Sequence, residues 1–369
     1  MTLVQSPQSL LEDTDWSSLE HAYGPAGEAP FELLHLLTED AELCGNAIAF
    51  LDSAVLHQDT IYSATAPAAL FVAAILDDVR TRFVCDSTLP WDDRERPVRA
   101  ALLEWLGRVA AAAAWEELEP DDDLEDEDTG AVEACRAIRP DVYTCVAPFL
   151  DDPDAGVRQE ATTAMAHLLQ APELAEFRAA AAERLLRQAA DAPPVERAGI
   201  ALTVGAWGIP PAMFLADEHP GVRACAALTA AHDGVPAALE EIRSALRDPR
   251  AADALFDENP PLIWGQMRFA LIEALLRRTA TFDEIVDEAV AVARMTNAHT
   301  VQSDWGPMLV RAFPEAFTST DALSENQRRF LVAIVENDEC WGVIANPYGW
   351  LRGVGLPTER DELRSLVDP

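Results

Sequence analysis

Between His57 and Thr65 the chain reads His-Gln-Asp-Thr-Ile-Tyr-Ser-Ala-Thr. An imidazole, a carboxamide, hydroxyls and a phenol lie close together there, able to stack and to exchange hydrogen bonds with a ligand. Loops carried by rigid flanking helices concentrate such contacts. His57, Gln58, Thr60 and Tyr62 are therefore the candidate binding residues. Two readings stay open. The segment is either such a binding loop or an inter-helix connector whose Thr and His side chains cap helix ends while Tyr62 fills an edge. Covalent chemistry has no comparable signature. The sequence contains no nucleophile elbow, P-loop, dinucleotide fingerprint or zinc-binding helix motif. His167 and the six cysteines (Cys44, Cys85, Cys135, Cys145, Cys225 and Cys340) lack metal-ligand spacing. No metal and no cofactor is expected, and the cysteines suit reduced, buried thiols better than a disulfide frame. With 64 acidic residues, neighbouring carboxylates arise by chance and mark no acid–base pair. The chain is expected not to be an enzyme.

The elements that would carry this loop are helices, and the stretch from Leu150 to Leu169 shows their pattern. A helix ends at Leu150, an Asp/Pro/Gly turn follows, and a second helix opens on Val157-Arg158. Pro153 disfavours helical geometry in the residue before it, and Asp154 can cap the next helix by accepting from its free amides. Val157, Ala161, Ala164, Met165 and Leu168 then recur at the spacing of one buried helical face. The same frame returns without a gap. Leu215, Asp217, Gly221, Val222, Arg223 and Ala226 align with Leu150, Asp152, Gly156, Val157, Arg158 and Ala161, and Pro97-Val98-Arg99-Ala100-Ala101 is a partial third copy. The intervals between the three arginines, 59 and 65 residues, are about two units of a two-helix repeat. Arg158 and Arg223 are expected to bond turn carboxylates or carbonyls in their own or a neighbouring repeat. Asp152, Asp217 and Arg99 belong to the same structural set.

This Leu-x-Asp-x-x-x-Gly-Val-Arg-x-x-Ala frame resembles that of HEAT-repeat proteins of the armadillo type. Two further elements, His21-Ala22-Tyr23-Gly24 and His57 to Thr65, are similar to elements shared by a bacterial group of such proteins. The group carries no activity that can be transferred. Asp59 stands where its pattern has Gly, so the loop is expected to turn differently here. The resemblance implies an all-α chain whose HEAT-like helix pairs wind into a right-handed α-α superhelical solenoid. The abundance of Ala and Leu, both strong helix formers, agrees with an all-α reading.

Every one of the 27 basic residues is Arg, and the formal net charge is −37. That bias suggests a GC-rich, actinobacterium-like coding sequence. The negative field opposes nucleic-acid binding, which needs cationic neutralisation of phosphates, and favours cationic partners. No apolar run reaches the roughly 18 residues of a membrane span, and the N-terminus has no cationic leader, so a cytoplasmic location is expected. The favoured function is a protein-interaction scaffold that binds a protein or peptide. The alternative is an immunity or antitoxin-type inhibitor that blocks a basic toxin by charge complementarity. A HEAT-like alkylpurine DNA glycosylase, which needs a groove that tolerates DNA, is disfavoured by the charge.

In chain order, residues 1–118 are expected to hold N-terminal helical repeats, with 1–14 a loose tail and a short helix over Trp16–Ala22. Phe31, Leu33, Leu34, Leu36 and Leu37 are expected to pack inward, and Val79–Asp93 to be a connector. Residues 119–130 are expected to form an acidic loop, since Glu116 to Asp128 holds ten carboxylates and no base; such like-charge runs are usually solvated. Residues 131–338 continue the repeats, including a helix from Leu262 to Arg278. Trp207 and Trp264 are expected in the core. Residues 339–369 form a cap, with Trp341, Tyr348 and Trp350 covering the last apolar face.

Overall fold

The computed structural model describes residues 6–86, 94–118, 126–318, 322–341 and 346–367. Among the described residues the chain is mostly helical, with nineteen α-helices and two short antiparallel hairpins. No helix among them is long and apolar enough to cross a membrane. The chain divides into two compact units, Met1–Ala190 and Asp191–Pro369. The acidic stretch where the sequence places a boundary therefore falls inside the first unit. Residues 119–125 of that stretch lie outside the described residues, and its remainder opens a helix at Asp126.

The first unit begins with α1 (Pro7–Asp13), then the hairpin β1 (Glu20–His21) and β2 (Gly24–Pro25), then α2 (Ala29–His35), α3 (Ala41–Phe50) and α4 (Thr65–Ile75). A second hairpin pairs β3 (Val84–Asp86) with β4 (Glu95–Pro97). It is followed by α5 (Val98–Leu118), α6 (Asp126–Ala137), α7 (Arg139–Val146), α8 (Ala155–Leu168) and α9 (Arg178–Gln188). Helix α5 packs extensively against α8. Gly107 on α5 makes this possible, because a Cβ there would lie 3.0 Å from the Ala164 backbone. Asp154 caps α8 by accepting from the Val157 amide, and Val157, Ala161, Ala164, Met165 and Leu168 are all buried.

The second unit holds α10 (Pro194–Ala206), α11 (Pro220–Leu228), α12 (Pro236–Leu246), α13 (Pro249–Asp253) and α14 (Met267–Arg278). It continues with α15 (Val286–Ala293), α16 (Trp305–Ala312), α17 (Glu325–Glu336), α18 (Asn346–Gly353) and α19 (Arg360–Val367). Helices α12, α15, α17 and α19 pack in that order, each on the next, while α10 packs on α11. At the C-terminal end the Trp350 ring lies over Gly306, where a Cβ would sit 2.5 Å from it. Trp341 donates its indole N–H to the Ile334 carbonyl at 3.0 Å, and Tyr348 is half-buried.

Arginine–aspartate pairs tie helix openings together within each unit. Arg158 donates to the Asp152 and Pro153 carbonyls at 2.9 and 3.1 Å, and Arg223 donates to the Asp217 and Glu218 carbonyls at 3.0 and 3.3 Å. The turn carboxylates accept from an arginine further back. Asp152 faces Arg99 at 3.4 Å, Asp217 is held by both arms of Arg197 at 2.8 Å, and Asp304 is held by Arg268 at 2.7 and 3.1 Å. Arg99 also reaches Thr81 Oγ1 and the Asp78 carbonyl, and Arg268 also bonds Asp253. Guanidinium forks suit this task because they meet a carboxylate at two points.

Several local expectations differ from the structure. Pro7–Asp13 is a helix rather than a loose tail, capped by Ser6 and anchored by the buried Leu10. Over Trp16–Ala22 there is a single tight turn, Trp16–Ser18, followed by the first hairpin. Gly24, with φ 119°, allows that reversal, and Trp16 is buried beneath it. Phe31 and Leu34 are exposed, at 64% and 49%, since the short α2 buries only the face that carries Leu33. The connector after α4 forms the β3–β4 hairpin instead, and residues 87–93, with Trp91, lie outside the described residues. α14 starts at Met267, because Leu262 and Gly265 both take φ 71° and break the helical run. Trp264 lies in that break and is 78% exposed, whereas Trp207 is buried.

Candidate functional site

The two elements singled out at His21 and His57 meet in the first unit. Helix α3 runs into a single wide turn over Leu51–Val55, the π form, before the chain breaks at Leu56. Such turns are frequent at functional sites. The wide turn frees carbonyls that a regular helix would use. Ala54 accepts from the Ala22 amide at 3.0 Å, Val55 accepts from Thr65 Oγ1 at 2.7 Å, and Ser53 accepts from His57 Nδ1 at 2.9 Å. The hairpin is joined to the loop a second time, since Glu20 donates its amide to Ser63 Oγ at 2.8 Å and accepts from the Ala64 amide at 3.1 Å. Both elements are thus fixed by backbone bonds rather than by side chains alone.

Gln58 and Asp59 take φ values of 53° and 61°, the left-handed region that costs a non-glycine residue roughly 1–2 kcal/mol. The glycine of the related pattern would adopt this conformation freely. Here Arg108 compensates by donating to Asp59 Oδ1 at 2.9 Å and to Asp52. Burial disfavours the Arg108 charge, but the bonds and charges of Asp52 and Asp59 outweigh it and raise the pKa.

The histidine tautomers follow from these bonds. His21 is buried. Its Nδ1 accepts from the Tyr23 amide at 3.1 Å, so the proton resides on Nε2, 2.8 Å from Glu28 Oε1. That hydrogen bond, followed by one from the backbone, holds the Glu28 carboxyl below the usual range. His57 has the opposite tautomer: Nδ1 donates to a carbonyl, which leaves Nε2 an acceptor. The Tyr23 ring stands between the two imidazoles, with its centroid 6.2 Å from His21 and 5.7 Å from His57. Phe50 also meets the His21 ring edge-on, with centroids 5.7 Å apart.

Of the four residues expected to make contacts, Gln58 and Thr60 are exposed, while His57 and Tyr62 are half-buried. Tyr62 donates its amide to Thr65 Oγ1 at 2.9 Å, so that part of the segment serves as a connector. The most accessible aromatic of the cluster is Tyr23, 70% exposed. It belongs to the first element and was not among the expected contacts; its place at a hairpin tip depends on a pairing that two-residue strands do not announce. The site can stack on a planar or apolar group and accept a hydrogen bond through His57 Nε2. Nearby hydroxyls are spent on the backbone: Ser53 donates to Ala49 at 2.6 Å and Ser63 accepts from Glu20. Among the described residues no group of three or more His, Cys, Asp or Glu could hold a metal ion. Compared with protein-family models, with curated proteins and with solved structures, the chain finds no match in any of the three.

Proposed function

We propose that the chain is a non-enzymatic interaction scaffold of the cytoplasm, built of HEAT-like helix pairs that wind within each unit as a right-handed α-α solenoid. Its recognition point is the hairpin–loop junction, where a protein or peptide segment docks on Tyr23, His57, Gln58 and Thr60. The observation that carries this reading is the 70% exposed Tyr23 ring, fixed beside His57 by a hairpin that backbone bonds tie to the wide turn after α3 and to the loop. An aromatic presented on a rigid frame loses little entropy on binding, which is why such residues anchor interfaces. The successive packing of α12, α15, α17 and α19 supports the solenoid part of the proposal.

A second reading, an inhibitor of a basic toxin, draws on the net charge of −37, since complementary charge speeds association and makes it salt-dependent. An affinity capture from host lysate at low and high salt, run with the native chain and with Tyr23→Ala, separates them. Under the scaffold reading, partners survive high salt and are lost with Tyr23→Ala. One basic partner that is lost at high salt and indifferent to Tyr23 would favour the inhibitor.

A further inference from the structure

In a chain with more than two acids for every base, one cavity of the second unit inverts the balance. It measures about 490 Å³ and is lined by Arg247, Arg294, Arg328 and Arg329 against two carboxylates, Asp287 and Glu325. Val290 and Val332 contribute apolar wall. Three stacked helices supply it. Arg247 and Arg294 are the residues that end α12 and α15, and Arg328 and Arg329 lie in the first turn and a half of α17.

The four guanidinium groups are not all spent on the fold. Arg328 donates one arm to the Val367 carbonyl at 2.6 Å, and Arg329 donates one to Asp287 at 2.7 Å. These bonds orient both groups and leave further N–H donors. Arg247 makes a single pair with Glu240, both side chains more than half exposed. Arg294 is exposed and has no side-chain partner among the described residues. One turn before Arg247 on α12, and outside the cavity lining, Arg243 keeps a buried Nε without an acceptor. Natural selection of solubility explains surface acids, but not four arginines converging on a hollow in a protein of this charge.

We propose that this cavity binds an acidic peptide segment of a partner protein, with carboxylates on the arginines and an apolar side chain between them on Val290 and Val332. Guanidinium forks match carboxylates in two-point geometry, and the volume lies within the range of specific ligand pockets, about 300–1,000 Å³. Asp287 and Glu325 argue against a dense polyanion, since they would repel a phosphate backbone but can accept from peptide amides. The proposal stands apart from the Tyr23 junction, which belongs to the other unit.

The test presents the full-length chain to an immobilised positional-scanning peptide library and compares it with Arg247→Glu/Arg294→Glu, with Arg294→Ala and with Arg187→Glu, which reverses an exposed charge of the first unit away from both proposed sites. The native chain should select Asp or Glu on either side of an apolar position. The double charge reversal should weaken the selected peptide by at least about tenfold, Arg294→Ala should weaken it by about threefold, and Arg187→Glu should leave it unchanged. Arg294→Ala removes no bond of the fold, so it reads the site even if the double variant melts early. No preference for carboxylates, equal binding by both cavity variants, or displacement of the peptide by inorganic phosphate or single-stranded DNA at matched charge would overturn the proposal.

Discussion

The turns at Asp152–Arg158 and Asp217–Arg223 share one sequence frame and differ in how firmly they are coupled to an earlier helix. Their local geometry is the same. In each, the arginine donates to the first two carbonyls of the turn, and the aspartate accepts from the amide two residues on at 2.9 Å. The coupling arginines, however, behave differently. Arg197 gives both arms to Asp217 at 2.8 Å, whereas Arg99 meets Asp152 at 3.4 Å and divides its donors with Thr81 and the Asp78 carbonyl. The shared frame thus dictates the turn, while the strength of the link depends on the arginine that reaches it: Arg99, itself the arginine of the partial third copy, spreads its donors, and Arg197, outside the frame, gives both arms to Asp217.

The strongest way to sharpen this contrast is the third link, where Asp304 is fully buried. Arg268→Ala would strand that carboxylate and should cost about 3 kcal/mol, read as a lower urea midpoint for the second unit. Asp217→Asn and Asp152→Asn come next, since Asn keeps the acceptor for the turn amide and removes only the charge. We expect about 2 kcal/mol for Asp217→Asn and less than about 1 kcal/mol for Asp152→Asn; equal losses would erase the distinction between the two turns.

Acid separates the turns further. Burial alone would raise the Asp217 pKa, but the Arg197 bond and the His219 amide outweigh it and hold it below the usual range. A carboxyl depressed in the folded state contributes stability that is complete above its unfolded value of about 3.9 and is lost as pH falls through the lower folded value. Melting temperatures followed into acid should therefore fall less steeply for Asp217→Asn than for the native chain. The helix cap ranks below these effects: Asp154→Ala, which removes the acceptor for Val157, should cost about 1 kcal/mol. Least of all, Asp59→Gly should shift stability by under about 1 kcal/mol, because relief of the left-handed conformation offsets the lost Arg108 bond.

The same division between local frame and distant partner explains what could be read in advance. Helix openings at Val157 and Val222 were legible because cap, turn and apolar period lie within one short stretch. The convergence of His21 and His57 was foreshadowed only as two separate elements. Its geometry depends on the wide turn at Leu51–Val55, which no local residue pattern marks. Trp264 misled because an apolar period continues through Leu262, where the backbone turns left-handed. The arginine cavity was illegible, since its lining comes from three helices spread between Arg247 and Val332 and each residue alone resembles ordinary surface charge.

The six cysteines are all free, and all but Cys145 are buried. Only the thiolate attacks an alkylating reagent, and this form is suppressed at Cys44, Cys145, Cys225 and Cys340. Burial pushes up the Cys145 and Cys225 thiols and lifts Cys340 to about 11, while a hydrogen bond with Cys85, then burial, raises Cys44. At the buried cysteines, modification at neutral pH must wait for the surrounding helices to part. Labelling rates at Cys44 in the first unit and at Cys225 and Cys340 in the second would therefore act as a clock for each unit's opening, with no probe added to a chain that already carries its own.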